Sequence, residues 1–335
     1  MPRVSVIMSA YNDEETIRVA VESVLAQTYT DFEFLIMDDA SKDGTLCILE
    51  KLEDDRITIF RNKENRGLTA NLNSLLALSE GEYIFRMDAD DICRSDRMEK
   101  QVRYMDLHPE VYLAGCDTRD FGDSDLVWHL KDDPEELRIR MLLHPVLAHP
   151  SFIFRRALYE EGFSYDETFR TAQDYDLASR VAKKHKIGRV GEILLDYRVH
   201  KKQVSAKDPS GQRNNADRVR ERLLRELQVS FSEEEKRLYG AWAREEKPER
   251  FSDLRKCDLL IPKLVKANEK TKIYDVRIFE TVLKKLFYTR LIRTKDPRMI
   301  LRYVLTWGYG PKDLAVFFGE AFRTVVEKCR NRIFR

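Results

Sequence analysis

Four short apolar runs, rich in β-branched or aromatic residues, alternate with three segments of helical period in the first 88 residues, and few architectures accept that order. "VSVIMS" (4–9) reads as a strand. "NDEETIRVAVESVLAQ" (12–27) follows with Ile17, Val21, Val24 and Leu25 at helical spacing, and Asn12 or Asp13 stands where an N-cap is needed. "FEFLIMDD" (32–39) is a second strand, "SKDGT" a turn, and "LCILEKL" opens another helix. "ITIFR" (57–61) is a third strand, "TANLNSLLALSEG" (69–81) a helix closed by Gly81, and "EYIFRMD" a fourth strand. The alternation predicts an α/β fold, a mostly parallel sheet covered by helices, with ligands at the carboxyl ends of the strands.

Acids collect at those ends. Asp38 and Asp39 follow the second strand; Asp88, Asp90 and Asp91 follow the fourth. Two carboxylates about 4 Å apart repel by roughly 4 kcal/mol at an effective dielectric of about 20, so such a cluster needs an offset. Splaying into water as turn formers is one. A hard divalent cation, Mn2+ or Mg2+, is the other, because it reverses the local electrostatics and prefers carboxylate oxygen. Neither GxGxxG nor GxxxxGK[ST] occurs, which argues against a dinucleotide site or a P-loop.

The 335 residues suffice for one large domain with an appendage, or for two domains. A net charge of +1 hides an asymmetry: residues 1–200 hold 26 Lys and Arg against 39 Asp and Glu, and residues 201–335 hold 33 against 19. The basic half suits an anionic surface, a membrane or a phosphate-bearing molecule, or is simply a solvated helical face. It contains no recognisable base-reading module, so nucleic acid is not an expected partner. Five cysteines, widely spaced and never in a CxxC pair, suggest reduced cytosolic thiols rather than a disulfide framework or zinc site. No charged-then-apolar leader and no apolar run near eighteen residues occurs, so neither export nor a membrane span is expected.

The polar stretch "QVSAKDPSGQRNNAD" (203–217) contains Pro-Ser-Gly and reads as a linker or mobile loop, centred on 206–216. Beyond it, 217–335 reads as basic and mainly helical. Its last segment, "KDLAVFFGEAFRTVVEKCRNRIF", lines Leu314, Phe317, Phe318, Ala321, Phe322, Val325, Val326 and Cys329 along one face. That face docks onto the catalytic body or, given Arg323, Lys328, Arg330, Arg332 and Arg335, onto a membrane surface or partner.

In order, "VSVIMSAYNDEETIRVAVESVLAQTYTDFEFLIMDDASKDGT", "NRGLTANLNSLLALSEGEYIFRMDADD", "HPSFIFRR", "QDYDLASR" and "YRVH" resemble the family 2 glycosyltransferases of the GT-A fold, over residues 3–205. Several pieces are loose singly; five in sequence are specific. The resemblance implies a nucleotide-binding α/β/α sandwich over 1–205, a nucleotide-diphospho-sugar donor (UDP by default), a divalent metal, and inverting transfer to an acceptor hydroxyl. The expected product is a bacterial-type surface polysaccharide, with a glycan or lipid-linked acceptor reached from the cytoplasm at the inner membrane face, a location that the basic, amphipathic tail motivates.

By that likeness Ala10, Tyr11 and Asp13 surround the nucleotide and Asp39 accepts hydrogen bonds from the base, unless Asp39 is only a turn acid. Asp88 and Asp90 match the DxD motif, with Asp90 on the metal, Asp88 nearer the ribose, and Asp91 aiding either. Asp174 matches the catalytic base, with Asp176 as runner-up and helix capping as the plain alternative. Residues at i and i+2 of a helix point apart, so both acids cannot face one acceptor oxygen. Gln173 stands where the family often has Glu, and Ala178 where it often has a bulky group. His149 falls near acceptor and diphosphate, or is a satisfied structural histidine. His200 falls near diphosphate or metal, supported by Arg198 and by Lys201 or Lys202.

The chemistry asks for these residue types. Breaking an anomeric C–O bond drives negative charge onto a diphosphate, which a Lewis acid stabilises, and the attacking hydroxyl needs a general base within reach. A sugar nucleotidyltransferase is one rival, but it calls for a glycine-rich basic loop where "SAYNDEE" is acidic. A catalytically silent glycan- or sugar-nucleotide-binding subunit is the other.

Overall fold

A computed structural model describes residues 1–128, 133–200, 203, 207–248, 250–293, 316, 318, 319 and 321. Two compact units emerge, one of residues 1–134 and 145–216, the other of 135–144 and 217–335.

The first unit is built on a nine-stranded sheet: β1 (Val4–Ala10), β2 (Phe32–Asp38), β3 (Ile57–Arg61), β4 (Tyr83–Asp88), β5 (Ile92–Cys93), β6 (Val111–Gly122), β7 (Val127–Trp128), β8 (Ile153–Arg155) and β9 (Lys186–Val199). The order is β3-β2-β1-β4-β8-β6-β9-β5, with β7 paired to β6. The long pairings, β1 with β2 and β4, β2 with β3, and β6 with β9, are parallel. The antiparallel ones are two or three residue pairs each. This is a mostly parallel α/β sheet, and the expected alternation holds through β4.

Strand periodicity decides the layers. Val4, Val6 and Met8 of β1 with Phe34, Ile36, Phe85 and Met87 face α1 (Ile17–Leu25) and α4 (Arg97–Leu107), which bury Ile17, Val21, Val24, Met98, Val102 and Met105. Ile7, Leu35 and Ile84 alternate to the opposite face, where α3 (Leu68–Leu78) buries Leu72, Leu75 and Leu76. The short α2 (Thr45–Leu49) follows β2. With both faces covered, the central strands read as continuous apolar runs.

Two local expectations are corrected. Asn12 and Asp13 do not cap α1, which begins at Ile17 after Thr16; Asn12 takes a left-handed φ of 57° and Asp13 turns its carboxylate back to the Tyr11 N–H at 2.8 Å. Gly81 does not close α3, whose last residue is Leu78. It brings two backbones together: a Cβ there would lie 2.5 Å from the Ser5 nitrogen and 2.7 Å from the Val4 carbonyl carbon. Gly81→Ala is therefore expected to destabilise the chain by about 1–3 kcal/mol, read as a lower urea midpoint at unchanged slope. An unchanged midpoint would refute that reading.

From Pro209 on, the stretch expected as a loop is helical instead, within Pro209–Glu226. Its Pro-Ser-Gly begins a helix because Pro209 sits at the first turn, where no N–H is missed, and Asp208 accepts the Gly211 N–H at 2.8 Å. In the second unit, helices Glu233–Ala243, Phe251–Asp258, Leu260–Thr271 and Val276–Arg293 bury Leu238, Trp242, Leu254, Leu264, Phe279, Leu283 and Phe287. No described helix is long and apolar enough to cross a membrane. The amphipathic C-terminal face falls almost wholly outside the described residues.

Candidate active site

Two loops at the carboxyl ends of β1 and β2 are stitched together. The Asn12 N–H donates to Ser41 Oγ at 3.0 Å, and its Oδ1 accepts the Lys42 N–H at 2.8 Å. The Asp13 N–H donates to Thr45 Oγ1 at 2.7 Å. Ala40, with φ of 59°, makes the sharp exit from β2. Asp39 is 2% exposed and already accepts three hydrogen bonds, from Asn62 Nδ2 at 2.8 Å, the Arg66 N–H at 2.8 Å and the Gly67 N–H at 2.9 Å. It pins the loop ahead of α3, and one lone pair on Oδ2 is left over.

Past β4, Asp88, Asp90 and Asp91 bring one carboxylate oxygen each within 4.8 Å of the others. Arg86, two residues back on the same face of the strand, is 2% exposed and its guanidinium pairs with Asp88. The loop is fixed from the far end of β9. There the Arg198 N–H donates to Asp91 Oδ1 at 2.7 Å, Arg198 Nε to the Asp90 carbonyl at 2.7 Å, and His200 Nε2 lies 2.8 Å from Asp90 Oδ2. Asp91 Oδ2 is buried without a hydrogen-bond partner.

The electrostatics follow from the crowding. Burial pushes Asp91 well above the usual carboxylate range, and the Asp88 and Asp90 charges add to it. Burial likewise raises Asp88, with Arg86 opposing. Asp13 is pushed up to about 6 by burial, against the Tyr11 N–H, with Asp90 and Asp88 adding. A divalent cation fits this donor set: hard oxygens, an orphaned buried carboxylate oxygen, and negative charges that lack full compensation.

Asp174 lies at the start of the helix Gln173–Lys184, entered through Ala172 at a left-handed φ of 56°. Burial raises its pKa, opposed by the Tyr175 N–H and by the Arg86 charge. Asp174 in turn raises Asp88, so the two carboxylates share one field. Asp176 is fully buried and committed elsewhere: Arg180 Nε donates to it at 2.8 Å while the same guanidinium reaches the Ser164 carbonyl at 2.7 Å. Gln173 carries a buried Oε1 with no partner. His149, 8% exposed, has Nε2 at 2.9 Å from the Tyr165 hydroxyl, and burial with the Arg86 charge keeps it neutral.

Residues 5–163 match the family model Glycosyl transferase family 2. The Escherichia coli UDP-Glc:alpha-D-GlcNAc-diphosphoundecaprenol beta-1,3-glucosyltransferase WfaP is 30% identical over 208 residues, 62% of this chain and 81% of that protein. The chain belongs to glycosyl transferase family 2. EpsE of Bacillus subtilis is 43% identical over 117 residues, which span 34% of this chain and only 42% of that protein. Among solved structures, the Pyrobaculum calidifontis mannosyltransferase in complex with GDP-Man and Mn2+ shares the fold at a TM-score of 0.57 and 19% identity, over 88% of this chain and 87% of that one.

In this family 2 glycosyltransferase the expected Asp88, Asp90 and Asp91 lie within 4.8 Å of one another, and Arg198 and His200 bond to Asp90 and Asp91. Asp13 and Asp174 join them through their fields. Tyr11 is exposed beside Asp13, whereas Ala10 is fully buried and offers only backbone, its carbonyl accepting the Asp39 N–H at 2.9 Å. Lys201 and Lys202 lie outside the described residues. Sequence reading missed Arg86 and Tyr165. A charge inside the otherwise apolar "YIFRM" was a usable signal for the first; nothing local marks the second.

Proposed function

We propose that this glycosyltransferase transfers a sugar from a UDP-sugar to an acceptor hydroxyl with inversion, metal-assisted, in bacterial surface polysaccharide assembly. The carrying observation is the Asp88, Asp90 and Asp91 triad at the strand end, with its orphaned oxygen. Asp90, with His200 behind it, would hold Mn2+ or Mg2+, and Asp91 completes the set. When bound, the ion supplies Lewis-acid stabilisation of the departing diphosphate. Arg86 and Arg198 balance the remaining negative charge, and Asp174 accepts the proton of the attacking hydroxyl. Asp39, Tyr11 and the Asp13 loop border the nucleotide. The E. coli relative supports a UDP-linked donor and a lipid-diphosphate-linked acceptor. The mannosyltransferase supports a divalent ion in this fold. A lipid-linked acceptor places the enzyme peripherally at the inner membrane face, with the basic C-terminal region toward it.

Calorimetric titration of UDP, GDP and dTDP with and without Mn2+ tests the reading. UDP is expected to bind tightly only with Mn2+, and Asp90→Asn to weaken it at least about tenfold. The sign with pH is set by Asp13, raised to about 6. In the metal-free chain its stabilising contribution is complete below the ordinary carboxyl range and lost as pH rises through about 6. A cation favours the ionised form, so Mn2+-dependent binding should weaken several-fold between about pH 7.5 and 5.5. Equal binding by Asp90→Asn, or metal-independent binding, would overturn the metal assignment.

A further inference from the structure

The acidic loop meets the end of β9 residue against residue. β5 pairs with β9 antiparallel, Ile92 opposite Asp196 and Cys93 opposite Leu195, and one step further along the same register Asp91 stands opposite Tyr197. Beyond the last ladder pair the two segments are locked abreast: the Arg198 N–H donates to Asp91 Oδ1 at 2.7 Å, and Arg198 Nε to the Asp90 carbonyl at 2.7 Å. Residues opposite each other in an antiparallel pair share a face of the sheet, with Cβ atoms about 4.5–5.5 Å apart. Tyr197 therefore leaves β9 on the side of the Asp91 carboxylate.

Two polar groups at this crossing are left open. One is Asp91 Oδ2, buried without a hydrogen-bond partner. The other is the Tyr197 hydroxyl: the residue is half-buried, yet no hydrogen bond joins its hydroxyl to another described residue. A tyrosine withdrawn from water ordinarily finds a partner for its O–H. The nearby acids are engaged elsewhere, Asp88 with Arg86 and Asp90 with His200. Burial holds the phenol protonated, and the Asp88, Asp91 and Asp90 charges that reach it add to this, against Arg86, so it is a donor and not a metal ligand. An acceptor-only oxygen and a neutral donor, open side by side, match a ligand that carries a cation and an anion together. A divalent cation on a diphosphate is such a ligand: carboxylate oxygen suits the cation, and a phosphate oxygen, with lone pairs and no proton, suits the phenol O–H.

We propose that the Tyr197 hydroxyl donates a hydrogen bond to the diphosphate of the sugar nucleotide; this rests on the glycosyl-transfer reading above. The proton stays on the phenol throughout. As the anomeric C–O bond breaks and negative charge grows on the leaving phosphate oxygens, this hydrogen bond strengthens, so Tyr197 stabilises the departing group from a fixed strand end.

The test titrates UDP, GDP and dTDP calorimetrically into the full chain with Mn2+, and then the monophosphate of whichever diphosphate the wild type binds most tightly. Tyr197→Phe deletes one oxygen and keeps the ring. It is expected to bind the preferred diphosphate about tenfold more weakly, and the monophosphate within about twofold of the wild type. Mn2+ alone should bind both proteins equally, since the phenol is not its ligand. The melting temperature of the nucleotide-free variant should match that of the wild type, because no described residue loses a partner. Unchanged diphosphate affinity, equal weakening for diphosphate and monophosphate, or weaker binding of Mn2+ alone overturns the assignment. A lowered melting temperature with unchanged diphosphate affinity makes the hydroxyl structural and overturns it too. Failure of the wild type to bind any of the three diphosphates would overturn the donor reading instead, and this inference with it.

Discussion

Asp174→Asn is expected to lower kcat about a thousandfold, roughly 4 kcal/mol of barrier, while nucleotide affinity stays within about threefold. Asn keeps the shape and a hydrogen-bond acceptor but cannot take the hydroxyl proton. The same substitution should not destabilise the fold. Burial raises the Asp174 pKa, so its contribution to stability is complete below the ordinary carboxyl range and is lost as pH rises through the raised value. At neutral pH the ionised carboxylate is therefore a strained occupant, and Asn relieves it; the melting temperature should equal or exceed that of the wild type. A raised pKa also makes a stronger base, provided the group is ionised at the working pH. Parallel loss of activity and melting temperature would make Asp174 a structural helix-start acid.

Arg86→Met is expected to cost about 3–5 kcal/mol of stability, more than any other single change at the site. The guanidinium is 2% exposed and faces Asp88, 28% exposed, with the Asp91 charge also acting on it. Removing it leaves buried carboxylates without their internal cation. Adding Asp88→Asn should recover part of the loss, since one of the stranded charges goes with it, and strictly additive losses in the double variant would refute the pairing. Arg86 also opposes the upward shift of Asp174, so in Arg86→Met the acid limb of the rate profile should move to higher pH. These two replacements separate roles that the cluster merges: one removes a proton acceptor, the other the charge balance that lets acids coexist.

The strands β1 to β4 and the acids at their ends were legible because their signals are local. A strand buried on both faces reads as an apolar run, and a turn residue follows where the strand stops. The helix cap at Asn12 and the loop at 206–216 misled for a related reason. Asp, Asn, Pro, Gly and Ser serve turns and helix starts alike, and only the backbone path distinguishes them.

Sequence alone determined the α/β alternation, the acidic strand ends and, through ordered motifs, membership of the family. Tertiary structure decided which acids act together. His200 reaches Asp90 across 110 residues and Arg198 reaches the same loop across 108, contacts made by the parallel return of β9 beside β6. It also decided that Asp176 belongs to Arg180, while Asp174 lies within electrostatic reach of Asp88. The physical reason is range: periodicity and turn chemistry act over a few residues, whereas burial and charge depend on neighbours that only the closed sheet brings within reach.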